Sequence, residues 1–107
     1  MNTTGPKIIA VDFDGCLVEN KYPEIGEKIW QVFEALVMEQ IWNGAKVILW
    51  TCRRGEHLTA AVKWCAVHGL RLDAVNESLP ETIKEFGGDS RKVFAHEYWD
   101  DRAVRKP

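Results

Sequence analysis

The stretch VDFDGCL, residues 11–17, places two aspartates two positions apart at the end of an apolar run, with a glycine directly after the second. Three interpretations are open: a solvated turn, a calcium-binding loop, or a magnesium site for phosphate chemistry. An EF-hand loop that began at Asp12 would need an oxygen ligand at position 5, glycine at position 6 and glutamate at position 12. Those positions hold Cys16, Leu17 and Pro23. The calcium loop therefore does not fit.

The regions around this stretch alternate between short apolar runs and amphipathic segments. Four runs predict strands: KIIAV (7–11), KVILW (46–50), RLDAV (71–75) and KVFAHEYW (92–99). Three segments predict helices: residues 24–43 with Pro23 suited to the first turn, residues 55–69, and a short helix from Pro80 that ends at Gly87-Gly88. Strands that alternate with helices favour right-handed crossovers and a parallel sheet. We therefore expect a single α/β domain over residues 1–107, a three-layer sandwich with a mainly parallel sheet.

Polar residues follow three of the predicted strands, at the edge where ligands bind in such folds. They are Asp12 and Asp14 after the first strand, Thr51 and Arg53 after the second, and Asp100 and Asp101 after the fourth. One acidic turn residue would carry little weight, but three segments that meet at one edge are hard to produce by chance. Crowded carboxylates raise one another's pKa, and a divalent cation removes that penalty. Mg²⁺ binds a few carboxylates, waters and a substrate phosphate, so the pattern favours a magnesium site.

Three of these segments also resemble a known family. DFDGCL (12–17), LWTCR (49–53) and YWDDR (98–102) resemble the first, second and fourth motifs of the haloacid dehalogenase (HAD) superfamily, whose first motif is DxDx[T/V]. The resemblance covers residues 8–102 and is strongest to small capless HAD-like hydrolases with a TCRxGE segment, here residues 51–56. It implies a HAD-like Rossmannoid core and a Mg²⁺-dependent phosphohydrolase that cleaves a phosphate monoester through an aspartyl-phosphate intermediate.

The resemblance also implies a role for each matching residue. Asp12 matches the nucleophile, which also binds the metal through its carboxylate. Asp14 matches the general acid/base, which binds the metal through its backbone carbonyl. Thr51 matches the residue that hydrogen-bonds the phosphoryl group. Asp100 matches the remaining metal ligand, and Asp101 is a second candidate, either directly or through water.

The third motif of the family is a lysine that neutralises phosphate charge and has no rigid spacing. Lys63, Lys84 and Lys92 are candidates, and the segment around Lys92 resembles its counterpart in the small capless relatives, which favours Lys92. Arg53 has two open interpretations. It could contact a substrate phosphate with two parallel hydrogen bonds, or it could form a surface ion pair with Glu56.

Two residues make the fourth predicted strand more polar than a buried strand should be. His96 and Glu97 indicate an irregular or edge strand there, and each is open as a site group or a structural one. The chain also has five tryptophans, most of which we expect in the core. Any exposed remainder would indicate a subunit interface, so a homo-oligomer is one option.

The composition of the chain limits the classes of partner and the cellular compartment that we expect. Hydrophobic residues make up 46% of the chain and the net charge is −2 with scattered basic residues, which makes nucleic acid an unlikely partner. No apolar run approaches membrane-spanning length. The three cysteines are odd in number and form no CxxC pair, which favours reduced thiols and a cytoplasmic protein.

The alternative function is a catalytically weak HAD-like or receiver-like module that binds phosphate for regulation. A receiver carries its phosphoacceptor aspartate after the third strand, where this chain has Asn76-Glu77-Ser78, so that variant is disfavoured. Few residues separate Leu17 from the first predicted helix, which leaves no room for the cap domain that usually gives HAD enzymes their specificity. The partner is therefore a small phosphorylated substrate or a phosphorylated macromolecule, and its identity stays open.

Overall fold

A computed structural model describes residues 5–85, 93–100 and 104–105 of the chain, the last pair by backbone alone. These residues form five strands and three helices. The strands are β1 (Ile8–Val11), β2 (Lys46–Leu49), β3 (Ala74–Val75), β4 (Glu97–Trp99) and β5 (Val104–Arg105). The helices are α1 (Trp30–Asn43), α2 (Gly55–Val67) and α3 (Pro80–Glu85). Within the described ranges, no helix is long and apolar enough to cross a membrane.

The strands form one sheet in the order β3-β2-β1-β4-β5. β1 lies at its centre and runs parallel to β2 and β4, and β2 runs parallel to β3. The short β5 pairs with β4 in the antiparallel sense and was not predicted. The mainly parallel α/β sandwich expected from the sequence is confirmed.

The central strand is buried on both faces, which explains its unbroken run of apolar residues. Ile9 and Val11 share one core cluster with residues of α1 and α2, including Phe33, Leu36, Ala61 and Cys65. Ile8 and Ala10 belong to a second, smaller cluster on the other face, with Ile48, Leu79, Val93 and Ala95. Helices and loops on both faces therefore enclose the sheet as two outer layers.

The start of the first helix was predicted too early. α1 begins at Trp30, and residues 18–28 form a hairpin instead, called the 18–28 hairpin below. Val18 and Lys28 form an antiparallel bridge, and the Glu19 amide donates to the Glu27 carbonyl at 2.7 Å. A Cβ on Gly26 would collide with the Glu19 backbone, so the two arms meet closely. Ile25 packs against the core from this hairpin, which gave the segment its helix-like spacing.

The third and fourth strands are shorter than predicted. β3 covers only the last two residues of the predicted strand, and β4 covers three of the eight residues from 92 to 99. The segment before β4 forms hydrogen bonds with side-chain hydroxyls. The Tyr98 hydroxyl donates to the Val93 carbonyl at 2.6 Å, and the Phe94 amide donates to the Ser78 hydroxyl at 3.1 Å. The irregular start expected of this strand is present, but β4 lies inside the sheet, not at its edge.

His96 and Glu97, the two polar residues of this region, make contacts at the opposite end of the sheet from the predicted site. The Ile8 amide donates to His96 Nδ1 at 2.9 Å, and Glu97 forms an ion pair with Lys7 at 3.3 Å. Burial acts to lower the pKa of Lys7, but its contacts with Glu39 and Glu97 outweigh that effect and raise it. These contacts lie at the amino end of β1, away from the predicted site edge.

The prediction that most tryptophans are buried was wrong. Trp30, Trp42 and Trp50 are 66%, 72% and 42% exposed. Trp99 is buried, and Trp64 is half-buried against the larger core cluster. The two tryptophans at the ends of α1 lie on its outer side with Met38 and Ile41, which are also exposed.

Candidate active site

The carboxyl ends of three adjacent strands form the candidate site. The Asp12 amide donates to the Trp99 carbonyl, and the Trp50 amide donates to the Val11 carbonyl, both at 2.9 Å. These bonds extend the strand ladders by one residue beyond β1. Because β1 is central, Asp12 lies between the segment that begins at Thr51 and the segment that begins at Asp100. The structure therefore brings the polar segments that follow the first, second and fourth predicted strands to one edge of the sheet.

The chain turns sharply directly after Asp12. The Phe13 amide donates to Asp12 Oδ1 at 2.7 Å, and the Phe13 carbonyl accepts from the amides of Cys16, Leu17 and Val18 at 3.0–3.2 Å. Gly15 has a φ of +84°, and its amide donates to the Val18 carbonyl at 2.7 Å. A positive φ carries no steric cost for glycine, so Gly15 permits this tight turn.

Thr51 is held by Asn76, which was not among the predicted site residues. The Thr51 amide donates to Asn76 Oδ1 at 2.8 Å, and Asn76 has a φ of +56° directly after β3. The Thr51 hydroxyl accepts from the Arg53 amide at 3.1 Å. A hydroxyl still has its own proton to donate, so Thr51 can offer it to a phosphoryl oxygen. Asn76 follows a strand at the same edge as the other candidates, and that position was the available signal.

The second aspartate of the pair has a partner inside the chain. Arg53 Nε donates to Asp14 Oδ2 at 2.7 Å, and Arg53 Nη2 donates to Asp14 Oδ1 at 2.8 Å. Arg53 is 2% exposed, and the hydrogen bonds that it donates to Asp14 raise the pKa of its guanidinium. The surface pair between Arg53 and Glu56 is therefore not formed, because Arg53 points inward to Asp14.

The remaining donors of this guanidinium are used as well. Nη1 donates to the carbonyls of Pro23 and His57 at 3.1 and 3.3 Å, and Nη2 donates to the Glu24 carbonyl at 2.9 Å. A guanidinium has five N–H donors in total, so all five have a partner. A phosphate contact by Arg53 would require it to give up one of these bonds.

The metal ligands were assigned to Asp12, Asp14, Asp100 and Asp101, and the phosphate lysine to Lys92. Asp101 and Lys92 lie outside the described residues. Among the residues that are described, no group of three or more His, Cys, Asp or Glu side chains is arranged to hold a metal ion. The donor set still has the chemistry of a Mg²⁺ site, since Asp12 and Asp100 end adjacent strands. Both carboxyl oxygens of Asp14 bind Arg53. The ligand that the resemblance assigns to the metal is instead the backbone carbonyl of Asp14.

The two other lysine candidates are described and lie on helices. Lys63 is on α2 and Lys84 is on α3, and both side chains are exposed. Neither forms a described contact to the strand ends on which the site is built. The choice of Lys92 therefore stays a prediction.

The chain matches no family model and no curated protein. It is similar to a solved structure, that of the conserved protein coded by locus from Bacteroides thetaiotaomicron. The two chains are 44% identical, with a TM-score of 0.79, over 92% of this chain and 78% of the other. At that identity and coverage, the chain belongs to the same family as this conserved protein of Bacteroides thetaiotaomicron.

Proposed function

We propose that the chain is a Mg²⁺-dependent HAD-like phosphohydrolase that cleaves a phosphate monoester through an aspartyl-phosphate on Asp12. The observation that carries the proposal is the meeting of Asp12, Thr51 and Asp100 at the carboxyl ends of three adjacent strands, with Asp12 on the central one. This is the place where α/β folds bind ligands. The motif resemblance supplies the reaction, and the edge geometry agrees with it.

The chemistry divides into two displacements at phosphorus. In the first, the Asp12 carboxylate forms a bond to phosphorus while the bond to the leaving oxygen breaks, and Asp14 gives that oxygen a proton. In the second, Asp14 takes a proton from a water molecule that attacks phosphorus, and the bond to Asp12 breaks to release inorganic phosphate. For these proton transfers, one carboxyl oxygen of Asp14 must turn from Arg53 to the reacting group.

The other groups at the edge would hold the phosphoryl oxygens. The Thr51 hydroxyl donates a hydrogen bond, and the Lys92 ammonium supplies a positive charge. Mg²⁺, held by the carboxylates of Asp12 and Asp100 and the carbonyl of Asp14, with Asp101 as a further candidate ligand, would neutralise the charge that builds up on the phosphoryl group.

A second candidate function follows from the Asp14–Arg53 pair. If Asp14 stays bound to Arg53 through both oxygens, the chain lacks an acid/base, and Asp12 serves a catalytically weak phosphate-binding or regulatory module. The two functions differ in turnover. An enzyme releases many equivalents of phosphate per chain, whereas the weak module releases about one equivalent or fewer.

We also propose a cellular location, an oligomeric state and a substrate class for the chain. A cytoplasmic location is supported by the three cysteines, none of which forms a disulfide. A homo-oligomer is supported by the exposed apolar side chains on the outer side of α1, Trp30, Met38, Ile41 and Trp42. The substrate class is a small phosphorylated molecule or a phosphorylated macromolecule that itself covers the open edge.

The direct test is a panel of phosphate monoesters assayed with Mg²⁺ for the wild type and for Asp12→Asn. We expect turnover by the wild type and a loss of about 10³-fold or more in the variant, because the nucleophile is removed. Glu77→Gln is the matched control, since Glu77 is an exposed acid that follows β3 near the same edge. Circular dichroism checks the fold of both variants. If Asp12→Asn keeps more than about a tenth of the activity, the covalent mechanism is wrong.

A further inference from the structure

Arg53 lies where three segments of the chain meet beside the candidate site. Its hydrogen bonds reach Asp14 after β1, two carbonyls of the 18–28 hairpin, and a carbonyl in the first turn of α2. Its guanidinium carbon also lies 5.1 Å from the ring centroids of both Phe13 and Tyr22. A buried side chain with every donor used and aromatic rings around it has one defined position.

The tip of the 18–28 hairpin is joined to the body of the protein through this guanidinium. Residues 19–24 are all exposed, whereas Val18 at the base is buried. The carbonyls of Pro23 and Glu24 accept from Arg53 at 3.1 and 2.9 Å. These charged hydrogen bonds connect an otherwise exposed tip to a residue that also holds Asp14.

We propose that Arg53 is a positioning residue that couples the 18–28 hairpin to Asp14, an inference that rests on the phosphohydrolase function proposed above. Arg53 binds both carboxyl oxygens of Asp14 and so fixes the orientation of that side chain. One of the two bonds is enough to hold the side chain while the other oxygen turns to the reacting group. Because the hairpin carbonyls hold the same guanidinium, a shift of the hairpin changes where Asp14 stands.

This role differs from that of a phosphate ligand in what a substitution changes. Loss of a phosphate ligand weakens the binding of inorganic phosphate. Loss of a positioning residue lowers turnover and releases the hairpin tip, while the Thr51 contacts to phosphate are kept. Affinity for phosphate, turnover and exposure of the tip are three separate measurements.

The experiment compares Arg53→Lys with Arg54→Lys in the full chain. Lysine keeps the positive charge but cannot form the paired hydrogen bonds of a guanidinium. Arg54 is the exposed neighbour and serves as the matched control. Tip exposure is followed by trypsin cleavage after Lys21, an exposed residue in the hairpin tip. Phosphate affinity is measured with inorganic phosphate and Mg²⁺, by competition or by calorimetry.

For Arg53→Lys we expect kcat to fall about 10²-fold, as for a misplaced catalytic group. We expect the affinity for inorganic phosphate to change less than about threefold, and cleavage after Lys21 to accelerate about tenfold, because charged hydrogen bonds at the tip are lost. Arg54→Lys should match the wild type in all three. If phosphate binding weakens about tenfold or more while cleavage is unchanged, Arg53 is a phosphate ligand and the inference is wrong.

Two further outcomes separate the parts of the inference. If cleavage accelerates but kcat is unchanged, the tether exists without positioning Asp14, and the inference is overturned. If the wild type shows no turnover on any ester, the proposed function fails and the positioning of a catalytic group fails with it, whereas the cleavage result still reports whether Arg53 holds the tip.

A second variant covers the case in which Arg53→Lys does not fold. Asp14→Asn has the same shape but removes the charge that Arg53 binds, so the guanidinium loses its main anchor. We expect cleavage after Lys21 to accelerate in this variant as well. Unchanged cleavage in a folded Asp14→Asn would show that the hairpin and Asp14 are not coupled.

Discussion

Asp12 and Asp14 stand two residues apart at the end of one strand, yet they belong to two different regions of the molecule. Asp14 lies on a closed side, where both of its oxygens are bound by a guanidinium that is 2% exposed. Asp12 is half-buried as well, and it lies at the carboxyl edge of the sheet, called the open edge here, beside the ends of β2 and β4 and close to Thr51 and Asp100. The two carboxylates therefore have different partners, although the sequence presents them as a matched pair.

The difference shows how one short motif can serve both structure and chemistry. The buried guanidinium of Arg53 needs a compensating charge within the chain, and the half-buried carboxylate of Asp14 supplies it. A carboxylate at an open edge can instead share a cation with a second carboxylate and a phosphate. The closed side fixes the geometry of the turn and holds Asp14, the proposed acid/base, and the open edge supplies the proposed nucleophile Asp12 with the groups that bind phosphate and metal.

The largest expected effect tests the closed side. Arg53→Met should lower the free energy of unfolding by about 3–5 kcal/mol, because it leaves the Asp14 charge without its partner in a mostly buried place. Arg54→Met, at the exposed neighbour, should change it by no more than about 0.5 kcal/mol. Urea unfolding followed by circular dichroism measures both. Equal losses of unfolding free energy in the two variants would show that the Arg53–Asp14 pair does not stabilise the closed side.

The next effect tests the open edge. Lys92→Ala should lower kcat about 10²-fold, since loss of a preorganised charge at the phosphoryl group costs roughly 3 kcal/mol of transition-state stabilisation. Lys84→Ala, an exposed lysine on α3, should change kcat much less. Steady-state kinetics on the best ester of the panel decide between them. The reverse order would move the third motif from the approach to β4 onto α3.

A smaller expected effect is the stabilisation of the folded chain by a cation at the carboxylates of the open edge. Mg²⁺ should stabilise the folded chain, by about 2.7 kcal/mol at a concentration one hundred times its Kd, because it binds the carboxylates at the open edge only in the folded state. Thermal unfolding in EDTA and in millimolar Mg²⁺ measures the shift. Asp12→Asn should remove most of it, and Glu77→Gln should keep it. No shift with Mg²⁺, Mn²⁺ or Ca²⁺ would argue against a cation at this edge.

The smallest effect uses the cysteines as reporters of the two regions. Cys52 is exposed beside Thr51, whereas Cys16 and Cys65 are buried in the core. A thiol reagent should label one cysteine rapidly in the native chain and all three in urea. Rapid labelling of two or more thiols in the native chain would show that the closed side opens readily.

Burial also gives one of these thiols a pH dependence. It raises the pKa of the Cys65 thiol from 9.0 to about 12 in the folded chain. The folded state therefore keeps a proton that the unfolded state loses between these values, so stability is full below about pH 9 and falls as the pH rises toward 12. Urea midpoints between pH 8 and pH 10.5 should fall less steeply in Cys65→Ala than in the wild type. Equal slopes would contradict the assignment to Cys65.

Much of the frame follows from local pattern. β1 and β2 are runs of apolar residues, α2 begins and ends near its predicted positions, and α3 begins at Pro80 as predicted, whereas its predicted end at Gly87-Gly88 lies outside the described residues. Alternation of strands and helices is enough to favour a parallel sheet. Because parallel strands end at one edge, the nearness of Asp12, Thr51 and Asp100 was also predictable. The role of Asn76 was not predictable, since it depends on a contact between its side chain and the Thr51 amide, and the two residues follow different strands, β3 and β2.

What the sequence could not determine is which carboxylate receives the buried charge. Arg53 and Asp14 are separated by 39 positions, and no spacing rule connects them. The same guanidinium also bonds the 18–28 hairpin, whose segment carries the apolar spacing of a helix but forms a hairpin in which the arms bridge and Ile25 packs against the core. Periodicity records which residues face the interior, and both a helix and a packed hairpin satisfy it. Only the tertiary structure decides between them, because the contacts that stabilise the hairpin come from distant parts of the chain.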